Sequence, residues 1–295
     1  MRKIIYLLIG VVTMMMVACE KEETPIEDNT IDVIVMAGQS NMEGHSWSYK
    51  LFENTNSSMH PYYTNGFEKT KMMFHSDRGT NKSEIFSPVK LGQGYDTTRF
   101  GPEVGIAEEL HNRGIEKDVY LIKYALGGTS LYEDWNVDDV NSLYHEMVSY
   151  IYDQLVTLEE AGYKVKIKAF LWMQGEADAA EAVTATEASK YYDNLNKLVS
   201  SFRTEFEEYY GVEERGIAFV DAGISDYQVY KFHTVINSAK ETFASEEPEK
   251  NYYIDTMALG LEYNKDNTDY YHFDATSELK LGKEFVSILL DNGWL

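Results

Sequence analysis

Five short apolar runs constrain this chain more than any other feature: DVIVMA (residues 32–37), VYLIKYA (119–125), IKAFLWM (167–173), IAFVDA (217–222) and the weaker YYIDTMA (252–258). Each is nearly continuous instead of alternating with polar residues, the pattern of strands covered on both faces in a parallel sheet. Parallel neighbours need crossover connections, usually helical. Amphipathic stretches stand between the runs, over residues 102–114, 140–162 and 186–211, closed by Gly114, Gly162 and Gly211. A last helical pattern covers about 275–293. Such alternation predicts an α/β protein, a three-layer α/β/α sandwich around a parallel sheet. No composition break marks a second domain, and there is no internal repeat.

Residues 45–98 interrupt the alternation. They lack clear periodicity but contain Trp47, Tyr49, Phe52, Tyr62, Tyr63, Phe67 and Phe74. Two readings stay open: a lid or binding loop, and a packed insertion whose aromatics form a satellite core.

The N-terminus reads as a processing segment. MRK is basic, IIYLLIGVVTMMMV has about the apolar length of a signal h-region, and Val17-Ala18-Cys19 closes it with small residues. Cys19 is the single cysteine of the chain, so it has no internal disulfide partner. Residues 1–19 resemble a bacterial lipoprotein signal with Cys19 as the lipidated residue, although Met16 also leaves an ordinary secretory signal open. Residues 20–30 (EKEETPIEDNT) read as a flexible tether to a domain over 31–295. The expected location is the outer membrane or cell surface, with the periplasm as the other possibility. Membrane contact would run through the lipid alone, because no later segment is apolar enough to span a bilayer. A formal charge of −23 repels nucleic acid and anionic surfaces, so neither is an expected partner.

In parallel α/β sheets, ligand sites form beyond the carboxyl ends of strands. After the first run come Gly38, Gln39, Ser40 and Asn41; after the second, Gly127, Gly128, Thr129 and Ser130; after the third, Gln174, Gly175, Glu176 and Asp178. Near the C-terminus Asp269 precedes His272 by three residues. A hydrolytic site needs a nucleophile with a base in reach, a carboxylate to orient that base, and donors aimed at the developing oxyanion. Ser40, His272, Asp269, the 127–128 turn and the Gln174 amide could supply these parts. Each also has a plainer reading: a Ser in G-x-S-N is a common turn residue or N-cap, Gly-Gly is turn geometry, and Gln174 and Glu176 could cap the next helix. His45, His60, His75, His111, His145 and His233 have no comparable neighbours and receive no role. No zinc constellation, P-loop or dinucleotide loop is legible, and the G-x-S-x-G elbow of ordinary α/β-hydrolases is missing. No metal and no cofactor are called for.

Five blocks in order, GQSNMEG, RFGPEVG (99–105), KYALGGTSLYEDW (123–135), LWMQGEAD (171–178) and DYYHFDA (269–275), resemble one group of SGNH hydrolases. It comprises the sialate O-acetylesterases and the acetylxylan esterases of carbohydrate esterase family 6. The resemblance implies a flavodoxin-like sheet and metal-free removal of O-acetyl groups from sugars, so the implied substrate is an O-acetylated carbohydrate. It implies Ser40 as nucleophile and His272 as base, with the N–H groups of Ser40 and Gly128 and the Gln174 amide as oxyanion donors. Two acids fit the third position: Asp269, by the D-x-x-H arrangement, and Glu176, which matches the acid some family 6 esterases are thought to use. Asp269 is preferred because its spacing from His272 is local. Arg99 and Glu103 lie in a family block and are expected to serve as a structural ion pair. An esterase or lipase of different scope, and a non-catalytic surface glycan-binding lipoprotein on the same fold, are the other function classes considered.

Overall fold

All five apolar runs become strands of one sheet. The computed structural model describes residues 29–76, 79–265 and 269–295. The signal segment, Cys19 and the tether up to residue 28 lie outside the described residues. Six parallel strands form the sheet: β1 (Thr30–Gly38), β2 (Phe67–Ser76), β3 (Val119–Ala125), β4 (Lys164–Met173), β5 (Ala218–Ala222) and β6 (Asn251–Ile254), in the order β6-β5-β4-β1-β3-β2. Without β2 this is the flavodoxin order. Every residue of β3 is buried, as are all but the first of β1, which is why both runs read as continuously apolar.

Five long helices flank the sheet: α1 (Glu103–Asn112), α2 (Leu143–Glu160), α3 (Tyr191–Tyr210), α4 (His233–Glu246) and α5 (Ala275–Asp291). Helix α1 packs on α5, and α3 packs on α4. The chain moves from β1 to β3 in one direction and then back through β4, β5 and β6. Right-handed crossovers therefore place the helices in two layers, and the sandwich is three-layered.

Residues 45–98 are largely a packed insertion. Tyr63, Phe67 and Phe74 are buried in the main core, and β2 extends the sheet at its β3 edge, where the short strand Ser87–Val89 pairs with it antiparallel. Tyr49 and Tyr62 remain exposed. The insertion's aromatics thus mostly build the fold, and only its two ends approach the site described next.

Candidate active site

β1 sits between β3 and β4, where the strand order reverses, the place where open α/β sheets leave a crevice. Gly38 pairs with both Ala125 and Met173, so the three strands end level and their loops converge. Gly38 has φ +145°, and a Cβ there would collide with the Met173 carbonyl. The backbone can therefore turn against β4 only with glycine at this position. Gln39 N–H donates to that same carbonyl at 2.9 Å, and a single helical turn, Ser40–Glu43, begins at Ser40. As the first helical residue, Ser40 has no intrahelical acceptor for its N–H. On the far side, the 127–128 turn abuts it: a Cβ on Gly127 would lie 3.4 Å from Ser40 Cβ.

The strand Asp269–Phe273 brings His272 to the same end of the sheet. His272 Nδ1 and Asp269 Oδ2 are 2.8 Å apart. A proton on Nδ1, donated to the carboxylate, leaves the Nε2 lone pair to accept. Burial pushes the Asp269 carboxyl up, but the hydrogen bond and charge of His272 outweigh it and hold the acid below the usual range. Asn41 ties this strand to the serine loop: its Oδ1 accepts from Phe273 N–H at 3.1 Å. Ser40 and His272 line one cavity of about 610 Å³. The two side chains are not hydrogen-bonded to each other in this structure, and catalytic hydrogen bonds often tighten only when substrate is bound.

The 174–178 turn is built differently. Gln174 is fully buried and does not line the cavity. Its Nε2 donates to Asp178 Oδ2 (2.5 Å), Thr129 O (2.9 Å) and Gln39 Oε1 (3.2 Å), so this amide is spent on internal acceptors and is not aimed at an oxyanion. Gln39 Oε1 also accepts from the N–H groups of Gly175 and Ala177, both at 3.2 Å. Three donors on one oxygen fix the Gln39 amide, and its Nε2 has no acceptor among the described residues. Glu176 borders the cavity but is buried. Its Oε1 accepts from Asn41 Nδ2 at 2.7 Å, while Oε2 is buried without a partner. Burial pushes its carboxyl up toward the neutral form. Glu176 makes no hydrogen bond to His272.

Arg99 and Glu103 do not pair with each other. Glu103 forms a fully buried ion pair with Lys123 (2.9 Å), whereas Arg99 stacks on Trp47 and donates to the His45 carbonyl. The other unforeseen member of the site is His45, whose ring stacks on His272 at 4.2 Å between centroids and meets Glu43 Oε2 at 3.0 Å. Burial lowers its pKa, favouring the neutral ring. Glu43 Oε2 also accepts from Gly127 N–H, tying the glycine turn to the serine turn. The cavity rim is aromatic, with Tyr95, Tyr230 and Tyr271. Nothing local in the sequence marks His45. It arrives because Ser46–Trp47 pairs antiparallel with Arg99–Phe100, a long-range contact.

Residues 30–291 match the family model described as carbohydrate esterase, sialic acid-specific acetylesterase. The chain belongs to this family. It is 26% identical over 189 residues to the "Probable carbohydrate esterase At4g34215" of Arabidopsis thaliana, an alignment covering 61% of this chain and 65% of that protein, slightly under two thirds. The crystal structure of the Arabidopsis protein superposes with a TM-score of 0.62 at 20% identity, over 88% of this chain and 98% of that one. NanS superposes with a TM-score of 0.63 at 15% identity, over 90% of this chain and 97% of the other. At such identities these two structures speak to the fold of this chain alone.

Proposed function

We propose that this carbohydrate esterase removes O-acetyl groups from sugars by double displacement at Ser40. His272 Nε2 takes the Ser40 hydroxyl proton as Oγ bonds to the acetyl carbonyl carbon. The negative charge moves to the former carbonyl oxygen, where the N–H groups of Ser40 and Gly128 donate to it. Gly128 has φ +72° and nothing within 4 Å of where a Cβ would stand, so its backbone is open to a ligand. Among the described residues lining the cavity, Gln39 alone carries a side-chain amide, and it takes the third donor position in place of Gln174. The C–O bond to the sugar then breaks, and His272 returns the proton to the leaving alcohol. Water, deprotonated by the same ring, attacks the acetyl carbon; the bond from that carbon to Ser40 Oγ breaks, the ring returns the proton to Oγ, and acetate leaves. Asp269 holds the Nδ1–H tautomer and stabilises the imidazolium.

One observation carries this reading: His272, held by Asp269 at 2.8 Å, lines the same cavity as Ser40. Its test is acetate release from acetylated sugar, together with an acetyl adduct on the Ser40 peptide after acid quench. Undiminished release by Ser40→Ala would overturn it. We also propose export as a lipoprotein anchored at Cys19, which radiolabelled palmitate incorporation, abolished in Cys19→Ala, would test.

A further inference from the structure

A second depression of about 540 Å³ lies beside the catalytic cavity, lined by Asp226, Tyr227, Gln228, Tyr263 and Tyr270. The two share a wall of tyrosines. Tyr227 stands in that wall. Its ring is 6.1 Å from Tyr230 and 5.7 Å from Tyr271, which face the catalytic cavity, and 5.7 Å from Tyr263 and 5.6 Å from Tyr270 on the outer side. Tyr270 is 38% and Tyr271 51% exposed, although both are large rings. They stand between Asp269 and His272 on the strand Asp269–Phe273, which pairs with Tyr263–Asn264. The outer surface is thus continuous with the site and built on the element that carries its acid and base.

The chemistry of this surface selects a ligand. Sugars present an apolar C–H face and a rim of hydroxyls. Ring faces beside a carboxylate and an amide, here Asp226 and Gln228, answer both. Tyrosines give such contact area at low entropic cost. Among the described residues, no Lys or Arg lines either depression, while Glu43 borders the first and Asp226 the second. Arg99, whose charge reaches His45, is committed to Trp47 and the His45 carbonyl. An anionic sugar would find no cation on either wall to pair with; Lys265 stands beyond Asp226 and Tyr263, paired with Glu262.

We propose that Tyr227, Tyr263 and Tyr270 form a second sugar subsite for the unit next to the acetylated one, so that the enzyme acts on neutral, O-acetylated oligosaccharides. The inference rests on the esterase reading above, and two separate measurements keep them apart. Hydrolysis of p-nitrophenyl acetate by the wild type reports on the esterase alone. Binding of xylotetraose without acetyl groups, followed by calorimetry or NMR titration, reports on the subsite alone. Tyr270→Ala and Tyr263→Ala are each expected to weaken that binding, and to lower the ratio of kcat/KM on O-acetylated xylotetraose to kcat/KM on p-nitrophenyl acetate, by about three- to tenfold. Wild-type kcat/KM should be higher on O-acetylated xylotetraose than on O-acetylated xylose. Absence of xylotetraose binding, equal kcat/KM for the two sugars, or ratios unmoved in both variants would overturn the subsite. A higher kcat/KM on O-acetylated sialic acid than on the tetraose would overturn the preference for neutral sugars.

Discussion

Two acidic segments flank Ser40, and they treat their carboxylates in opposite ways. The strand Asp269–Phe273 leaves Asp269 partly open to solvent and 2.8 Å from His272, so the acid is held ionised. The 174–178 turn buries Glu176 completely, satisfies one of its oxygens with Asn41, leaves the other without a partner, and pushes the carboxyl toward neutrality. A carboxylate that must stabilise an imidazolium has to be charged when the proton arrives. By this criterion Asp269 is equipped for the work, and Glu176 is a buried strut linking the serine loop to the turn. Burial, not proximity to the serine, separates the two acids.

The comparison breaks most visibly at its centre. Ser40→Ala removes the group both segments surround, and kcat on an acetylated sugar should fall on the order of 10⁴-fold or more, with the melting temperature nearly unchanged. Asp269→Asn comes next. The amide can present its oxygen or its NH₂ to Nδ1, and with NH₂ facing the ring the wrong tautomer is favoured. A loss of about 10²- to 10⁴-fold in kcat with little change in KM is expected from steady-state kinetics. A loss under tenfold would remove the distinction between the two acids. Gly128→Ala is milder. It keeps the backbone N–H and meets no atom, but forces a side chain into φ +72°, costing about 1–2 kcal/mol of stability on thermal unfolding and less than tenfold in kcat.

Most of this architecture was legible because strands covered on both faces print unbroken apolar runs. The elements that stayed hidden break that rule for identifiable reasons. β2 mixes Lys69 and Lys71 with Met72, Met73 and Phe74, and only short antiparallel pieces cover its outer edge, so neither alternation nor a continuous run appears. In α4 the buried positions include Lys240, whose charge is met at 2.5 Å by buried Asp221 and therefore interrupts the apolar stripe that would announce a helix. Within the site, Ser40, His272 and Asp269 could be read from strand-end position and local spacing. His45 and Gln174 could not, because their roles depend on which partners the tertiary fold brings. Gln174 occupies an oxyanion position by motif, but its donors are taken by Asp178, Thr129 and Gln39. The aromatics of residues 45–98 left a binding loop and a packed insertion both open, and most are core; of the cavity's tyrosines, Tyr271 lies in the DYYHFDA block, whereas Tyr95 and Tyr230 lie outside every block.

Glu176→Gln sharpens the contrast at its smallest end. Gln keeps the shape and an Oε1 to accept from Asn41, and it imitates the neutral acid. Activity should therefore change by less than tenfold, against the loss expected for Asp269→Asn. Stability supplies the second readout. The folded-state pKa of Glu176 lies above its value in the unfolded chain, so once the pH exceeds the unfolded value the unfolded chain releases a proton that the folded chain retains. Wild-type stability is lost as pH rises through that window, and Gln, which cannot ionise, escapes the loss. The difference in melting temperature between variant and wild type should grow in favour of the variant as pH rises above the ordinary glutamate range, by roughly 2–4 °C for each kcal/mol relieved. Self-repulsion in a chain of charge −23 also weakens the fold as pH rises, but it acts almost equally on both proteins and cancels in the difference. A gap that shrinks with rising pH would mean that Glu176 is ionised in the folded enzyme, and the two acids would then have to be treated as equals.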